Sequence, residues 1–481
     1  MRIVYTFILI CFASFYSFAQ TQKEIKTYEN AVILANEGHY KEALPILKEL
    51  IRNNKEFIAA SWTLSDLYEK MGDSEKRIST LLYVAKPNMP RYTATLLRVG
   101  KAYHETCNYE KAIEWYKMIP ASDATFYKRG AIGIKQCEDA LELVAQPVPF
   151  NYKNMGPNIN TEFDDYWPSI TADESYFSTT VKLNKRQGQS EWGKGCHEDL
   201  FLSKKVNNVW SKTRNMGNAI NTIGNEGAQC ISLDSRYMFF VACDRSTGAG
   251  GCDIYYSIRE GDSWSPAINL GANVNTRHWE TCPSLSPTGD ELYFASTRPG
   301  GLGKSDIWKC KVEIQSNGHL KFSEAVNLGP TINTPDDEYS PFIHADNQTL
   351  YYSSKGMKGL GGYDVYVSYK DGNGGWTAPK NMGYPINTCK DEVGFIVNAH
   401  GDKAYFSSNG QEKNGMGREI YELILKEGNY KPNKSMKYAT GKILDAQTNK
   451  PIQATIDVFN VETNKMVFRS VSDKETGEFI T

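Results

Sequence analysis

Asn154-Met155-Gly156-Pro157-Asn158-Ile159-Asn160-Thr161 returns with small changes at Asn215 to Thr222, Asn269 to Thr276, Asn327 to Thr334 and Asn381 to Thr388. The intervals are 61, 54, 58 and 54 residues, and agreement across five copies marks an internal repeat. Each copy is followed by an acidic residue (Asp165, Glu226, Glu280, Glu338, Glu392), an apolar strand and then an aromatic strand such as Tyr237-Met238-Phe239-Phe240 or Leu350-Tyr351-Tyr352. A polar loop, glycine-rich in most copies, leads to an acidic-apolar-aromatic strand such as Asp253-Ile254-Tyr255 or Asp306-Ile307-Trp308. An aromatic residue (Trp210, Trp264, Phe322, Trp376) closes the unit. Four strands per unit predict the blades of a β-propeller.

The fifth unit stops after Tyr421-Glu422-Leu423-Ile424-Leu425 without a closing strand, whereas Val148 to Lys153 precedes the first copy as a surplus strand. Pairing the two closes a five-bladed ring and removes exposed sheet edges. Six blades is the alternative, and it needs a blade without the phrase. The Asn-x-Gly is read as a turn with glycine at positive φ, and the Asn-Thr as side chains that satisfy backbone groups in the crossover. Asp165, Glu226, Glu280, Glu338 and Glu392 are candidates for an acidic ring at the channel mouth able to hold Ca2+ or a basic partner. The competing reading, that each carboxylate serves a neighbouring turn, is preferred, and no other cofactor or metal is expected.

Ahead of the repeats, residues 22–145 show helical apolar spacing. Gly38-His39-Tyr40-Lys41-Glu42-Ala43 is echoed from Gly72 and again from Cys107, at steps of 34 and 35 residues. This segment resembles tetratricopeptide repeats, which implies an α-solenoid. Residues 1–19 carry Arg2, an apolar run and Ser17-Phe18-Ala19, the pattern of a cleaved signal peptide. Export places the remaining cysteines where disulfides persist, and Cys243 and Cys252 bracket a glycine-rich turn that would bring their sulfurs together. No CxxC or CxxH pair suggests zinc. Residues 437–481 alternate apolar and polar positions around turns and read as an incomplete β-sandwich. The domain plan is therefore a signal peptide (1–19), a helical repeat (22–145), a propeller (147–430) and a partial sandwich (437–481).

A composition with 40% hydrophobic, 12% aromatic and 23% charged residues excludes a disordered chain, and a net charge of −2 excludes a global field for nucleic acid. No segment of the mature chain is expected to span a membrane. Five-bladed propellers can house glycoside hydrolases, whose chemistry needs two carboxylates about 5 to 9.5 Å apart in unlike environments. The acidic residues here repeat blade by blade, His197, His278, His344 and His400 fall at different phases of the repeat, and no serine sits in Gly-x-Ser-x-Gly. On this reading there are no catalytic residues and the chain is not an enzyme.

The order of leader, helical repeats, Asn-Leu-Gly-x-x-Ile-Asn-Thr and Gly-Gly-x-Asp-Ile-Tyr phrases, then Ala439-Thr440-Gly441-Lys442-Ile443-Leu444-Asp445-Ala446, resembles the multidomain OmpA-family proteins of Bacteroidota. The propeller phrases resemble WD40-like (PD40) repeats, and the last segment resembles the start of a carboxypeptidase-regulatory-like domain. The resemblance implies a non-enzymatic periplasmic scaffold, associated with the outer membrane, that binds protein partners of an envelope or type IX secretion assembly. Peptidoglycan binding would belong to an OmpA-like domain that these residues do not contain. The alternative, motivated by the aromatic supply and the channel carboxylates, is a carbohydrate-binding or glycoside-acting propeller.

Overall fold

Each repeat folds into one antiparallel sheet, because its central strands are apolar on both faces and can be buried only between like neighbours. Tyr237–Cys243 and Thr349–Ser354 are buried along nearly their whole length. The computed structural model describes residues 20–184, 196–408, 418–425 and 430–481, so the expected signal peptide lies outside the described residues. Two compact units are present, one essentially helical and one containing the sheets.

The first blade runs Asp164–Ile170, Tyr176–Asn184, Cys196–Val206 and Val209–Trp210, and the second Glu226–Ile231, Tyr237–Cys243, Cys252–Glu260 and Ser263–Trp264. The third and fourth start at Glu280–Leu285 and Glu338–Ile343 and repeat the order. In the fifth, Val393–Val397, Lys403–Ser408 and Glu419–Ile424 take their outer strand from Tyr152–Asn154, with Tyr152 opposite Leu423 and Asn154 opposite Tyr421. The ring is a five-bladed propeller closed through this composite blade.

Aromatic side chains seal the blade junctions: Phe177 meets Tyr405 at 5.2 Å, Tyr351 meets Phe395 at 5.3 Å and Phe239 meets Phe322 at 6.4 Å. Burying each such ring stabilises the fold by about 1.5–3 kcal/mol. The recurring phrase forms the crossover. Its glycine holds positive φ in all five copies, between 75° and 81°. Its second asparagine reaches the third strand of the blade just completed. The Asn333 Oδ1 accepts from the Ile307 N–H at 2.8 Å while its amide donates to the Ile307 carbonyl at 3.0 Å, and Asn160 does the same to Ile420 across the ring closure. Asn333→Ala would strand two buried backbone groups, each costing about 1–3 kcal/mol. Chemical denaturation should show a loss of about 2–5 kcal/mol; a loss below about 1 kcal/mol would mean the pairing contributes little.

The innermost strands all carry a β-bulge, and the residue six places after each phrase-ending Thr adopts positive φ: Trp167, Ala228, Cys282, Ser340 and Gly394. A bulge kinks the strand and re-aims its side chain. The side chain is large in one blade alone, Trp167, and it lies over Gly394, where a Cβ would meet its ring at 3.0 Å.

The C-terminal segment forms two ribbons, Thr440–Lys442 with Glu478–Ile480 and Thr455–Phe459 with Met466–Val471. Ile480 is buried against Ala172 and Ala399, with Leu233, Ala345 and Tyr438 around it. Four of these residues follow the innermost strands of four blades, so this segment covers the channel end opposite Trp167.

The helical unit holds Gln22–Asn36, Tyr40–Asn53, Ile58–Lys70, Ser74–Val84, Tyr92–His104, Tyr109–Lys117 and Ala124–Val144, successive helices packing on one another. Thr21 with Glu24, Asp73 and Asn108 cap helix starts. Tyr116 is gripped between Gly100 and Gly133, at each of which a Cβ would come within 2.6 Å of its ring. This is a short helical unit in a chain made mostly of sheet, and a clear tetratricopeptide solenoid is not evident in it.

Candidate active site at the channel mouth

Each member of the expected acidic ring is occupied by its own turn. Thr161, Thr222, Thr276, Thr334 and Thr388 donate both backbone N–H and hydroxyl to the carboxylate four residues on, at 2.6–3.0 Å. Arg245 pairs with Glu226 at 3.0 Å and Arg298 with Glu280 at 3.3 Å. The five are fully or almost fully buried and do not bond to one another, and no group of three metal-ligating side chains gathers among the described residues.

Burial pushes the carboxyls of Asp165 and Glu392 up to about 7, against the hydrogen bonds from Thr161 and Thr388. A folded-state value above the unfolded one means that the native state holds the proton more tightly. Their contribution is therefore most favourable below about pH 4 and falls as pH rises toward 7. The melting temperature is expected to drop over that window, and D165N with E392Q should flatten the drop; an unchanged slope in the double variant would show that these groups do not set it.

The groups that converge at the mouth come from the places where the copies differ. Asp164, Trp279 and Asp391 precede the repeated acid in three blades, and Glu198, the third residue of strand Cys196–Val206, lies opposite Lys182, which in turn lies opposite Asp164. With Tyr166, Trp167, Tyr339, Tyr363 and Arg418 they line a cavity of about 710 Å3. Its floor is Trp167, edge-on to Tyr339 at 5.5 Å, and Tyr339 stacks on Tyr363 at 5.5 Å. Trp279 stands 56% exposed at the wall. Within the wall, strands Tyr237–Cys243 and Cys252–Glu260 are joined by the Cys243–Cys252 disulfide, Cα atoms 4.0 Å apart.

Of the three half-buried carboxylates, Glu198 is held by a phenol and the other two by backbone N–H groups. The Tyr166 hydroxyl donates to Glu198 Oε1, the Arg418 backbone N–H donates to Asp164 Oδ1 at 2.8 Å, and the Tyr363 N–H donates to Asp391 Oδ1 at 2.9 Å. Burial, with the charge of Glu198 behind it, drives the Tyr166 phenol well above its ordinary range, so it remains a donor. Each carboxylate keeps oxygen lone pairs for a ligand. The sequence reading, built on the likeness of the copies, missed these residues; the signal was the variation at the position before the repeated acid and the one tryptophan at the bulge. A second cavity, about 790 Å3, lies against the C-terminal ribbons, but Lys474 with Glu260 and Lys442 with Glu478 pair there among themselves.

No family model matches the chain, and no curated protein matches it. Solved structures sharing part of its fold include an α-L-arabinofuranosidase from Lactobacillus brevis (11% identity, TM-score 0.37, 58% of this chain and 98% of that one). A family 117 glycoside hydrolase from Zobellia galactanivorans aligns at 12% identity and TM-score 0.37 over 57% of this chain and 89% of its own, and a Bacillus subtilis arabinanase at 14% and 0.35 over 56% and 96%. At these values the likeness is one of propeller architecture. No comparison supports an OmpA-family, tetratricopeptide or PD40 identification, and that resemblance, with the type IX secretion role it implied, is corrected. The expectation of a non-enzymatic scaffold is corrected with it: the premise that every acidic group repeats blade by blade fails at Glu198, whose counterparts are Cys252, Ser305, Tyr363 and Arg418.

Proposed function

We propose that the channel mouth binds a saccharide and acts on its glycosidic bond. The observation that carries this reading is one cavity in which a tryptophan floor, an aromatic wall and three carboxylates converge, Glu198 held by a phenol and Asp164 and Asp391 by backbone N–H groups. Sugar rings present apolar C–H faces to aromatic planes and hydroxyls to carboxylates, which is the mixture supplied here. An acid and a base side by side need unlike surroundings, and Glu198 beside a phenol differs in this from Asp164 and Asp391 on backbone N–H groups.

Burial of the opposite channel end by Ile480 and the seat of Trp167 on Gly394 support a blind pocket, which suits a chain end better than a chain interior. An exported chain, as its leader suggests, would meet such saccharides outside the cytoplasm. Screening the full chain against a glycan array and a panel of aryl glycosides tests the reading. Binding or turnover of at least one saccharide class is expected, and silence across both would remove it.

A further inference from the structure

Among the described residues Arg418 is the one arginine lining the mouth, and its surroundings differ from those of the other two arginines near the channel. Arg245 and Arg298 are spent inside their blades, on Glu226 and Glu280 and on the carbonyls of Ile220 and Val274. The Arg418 backbone is tied at both ends: its N–H donates to Asp164 at 2.8 Å, and its carbonyl accepts from the Asp165 N–H at 2.8 Å. The residue as a whole is half-buried, and among the described residues its guanidinium has no carboxylate within ion-pair distance. Its charge acts on Tyr166 and on Glu392, which places it at the junction of the first and fifth blades.

Asp164, Glu198, Asp244 and Asp391 line the same cavity, and among the described residues none of them forms an ion pair with Arg418. Lys182, exposed beside Asp164 in register, adds a second cation on the same side. Arg418 is a half-buried cation lining the cavity, and the planar fork of its guanidinium matches a carboxylate or sulfate oxygen pair.

We propose that the saccharide taken at the mouth carries an anionic group, a ring carboxylate or a sulfate ester, and that Arg418 is the residue that reads it. This rests on the saccharide reading above and names its ligand class. The test titrates the full chain with matched pairs, a glucuronate-ended against a glucose-ended oligosaccharide and a 6-sulfated against an unmodified galactose, at low and high salt. The anionic member of at least one pair should bind about tenfold more tightly, a preference that shrinks as salt rises. Which pair shows it separates carboxylate from sulfate. R418Q should bring the anionic-to-neutral ratio to within about twofold. Should R418Q fail to melt cooperatively, R418K, which keeps the charge but loses the fork, serves instead and should narrow the ratio.

A wild-type preference for the neutral members, or a ratio unmoved by substitution at Arg418, overturns the anionic reading and leaves the saccharide site standing. Failure of every pair member, with silence on the array, overturns the saccharide site itself.

Discussion

E198Q, D164N and D391N are each isosteric, and turnover is expected to fall about 10²- to 10⁴-fold for the two that carry the proton transfers. The third, serving as a sugar hydroxyl acceptor, should lose affinity and keep more of its rate. Glu198 is the first choice for the nucleophile or base, because the Tyr166 hydroxyl donates to one of its oxygens and holds the carboxylate in place. The exchange removes charge and leaves shape, so folding should survive; melting temperatures within a few degrees of the parent would confirm that rate and not fold was lost. Retention of rate within tenfold by all three would show that the carboxylates do no chemistry.

W167A is expected to weaken saccharide binding by about 10- to 100-fold, the equivalent of about 1.4–2.8 kcal/mol. The indole is the floor, and its removal opens the cavity into the channel above Gly394. W167F should keep most of the affinity, because a smaller ring still offers a face to the sugar. Calorimetric titration of the three proteins checks the order, and equal affinities for parent and W167A would remove the floor from the account.

The propeller was legible because its copies are redundant. The phrase from Asn154, the surplus strand and the unfinished fifth unit were enough to place Tyr152–Asn154 beside Glu419–Ile424. The turn glycines at positive φ and the crossover asparagines follow from local chemistry that the repeat displays five times. The mouth was not legible for the same reason. Attention to what repeats selects Asp165 and Glu392, whose carboxylates are consumed by Thr161 and Thr388. The residues facing the cavity are those a blade can change without cost to the fold, and their convergence depends on closure of the ring. Tyr339 and Tyr363 stack although 24 residues separate them, and Asp164 meets Arg418 from 254 residues away.

The most direct measurement is a crystal structure of the full chain soaked with an oligosaccharide that the array selects. A terminal sugar ring is expected to lie over Trp167, with hydroxyls on Glu198, Asp164 or Asp391. Sugar seated elsewhere on the propeller or against the C-terminal ribbons, with the mouth filled by water alone, would contradict it.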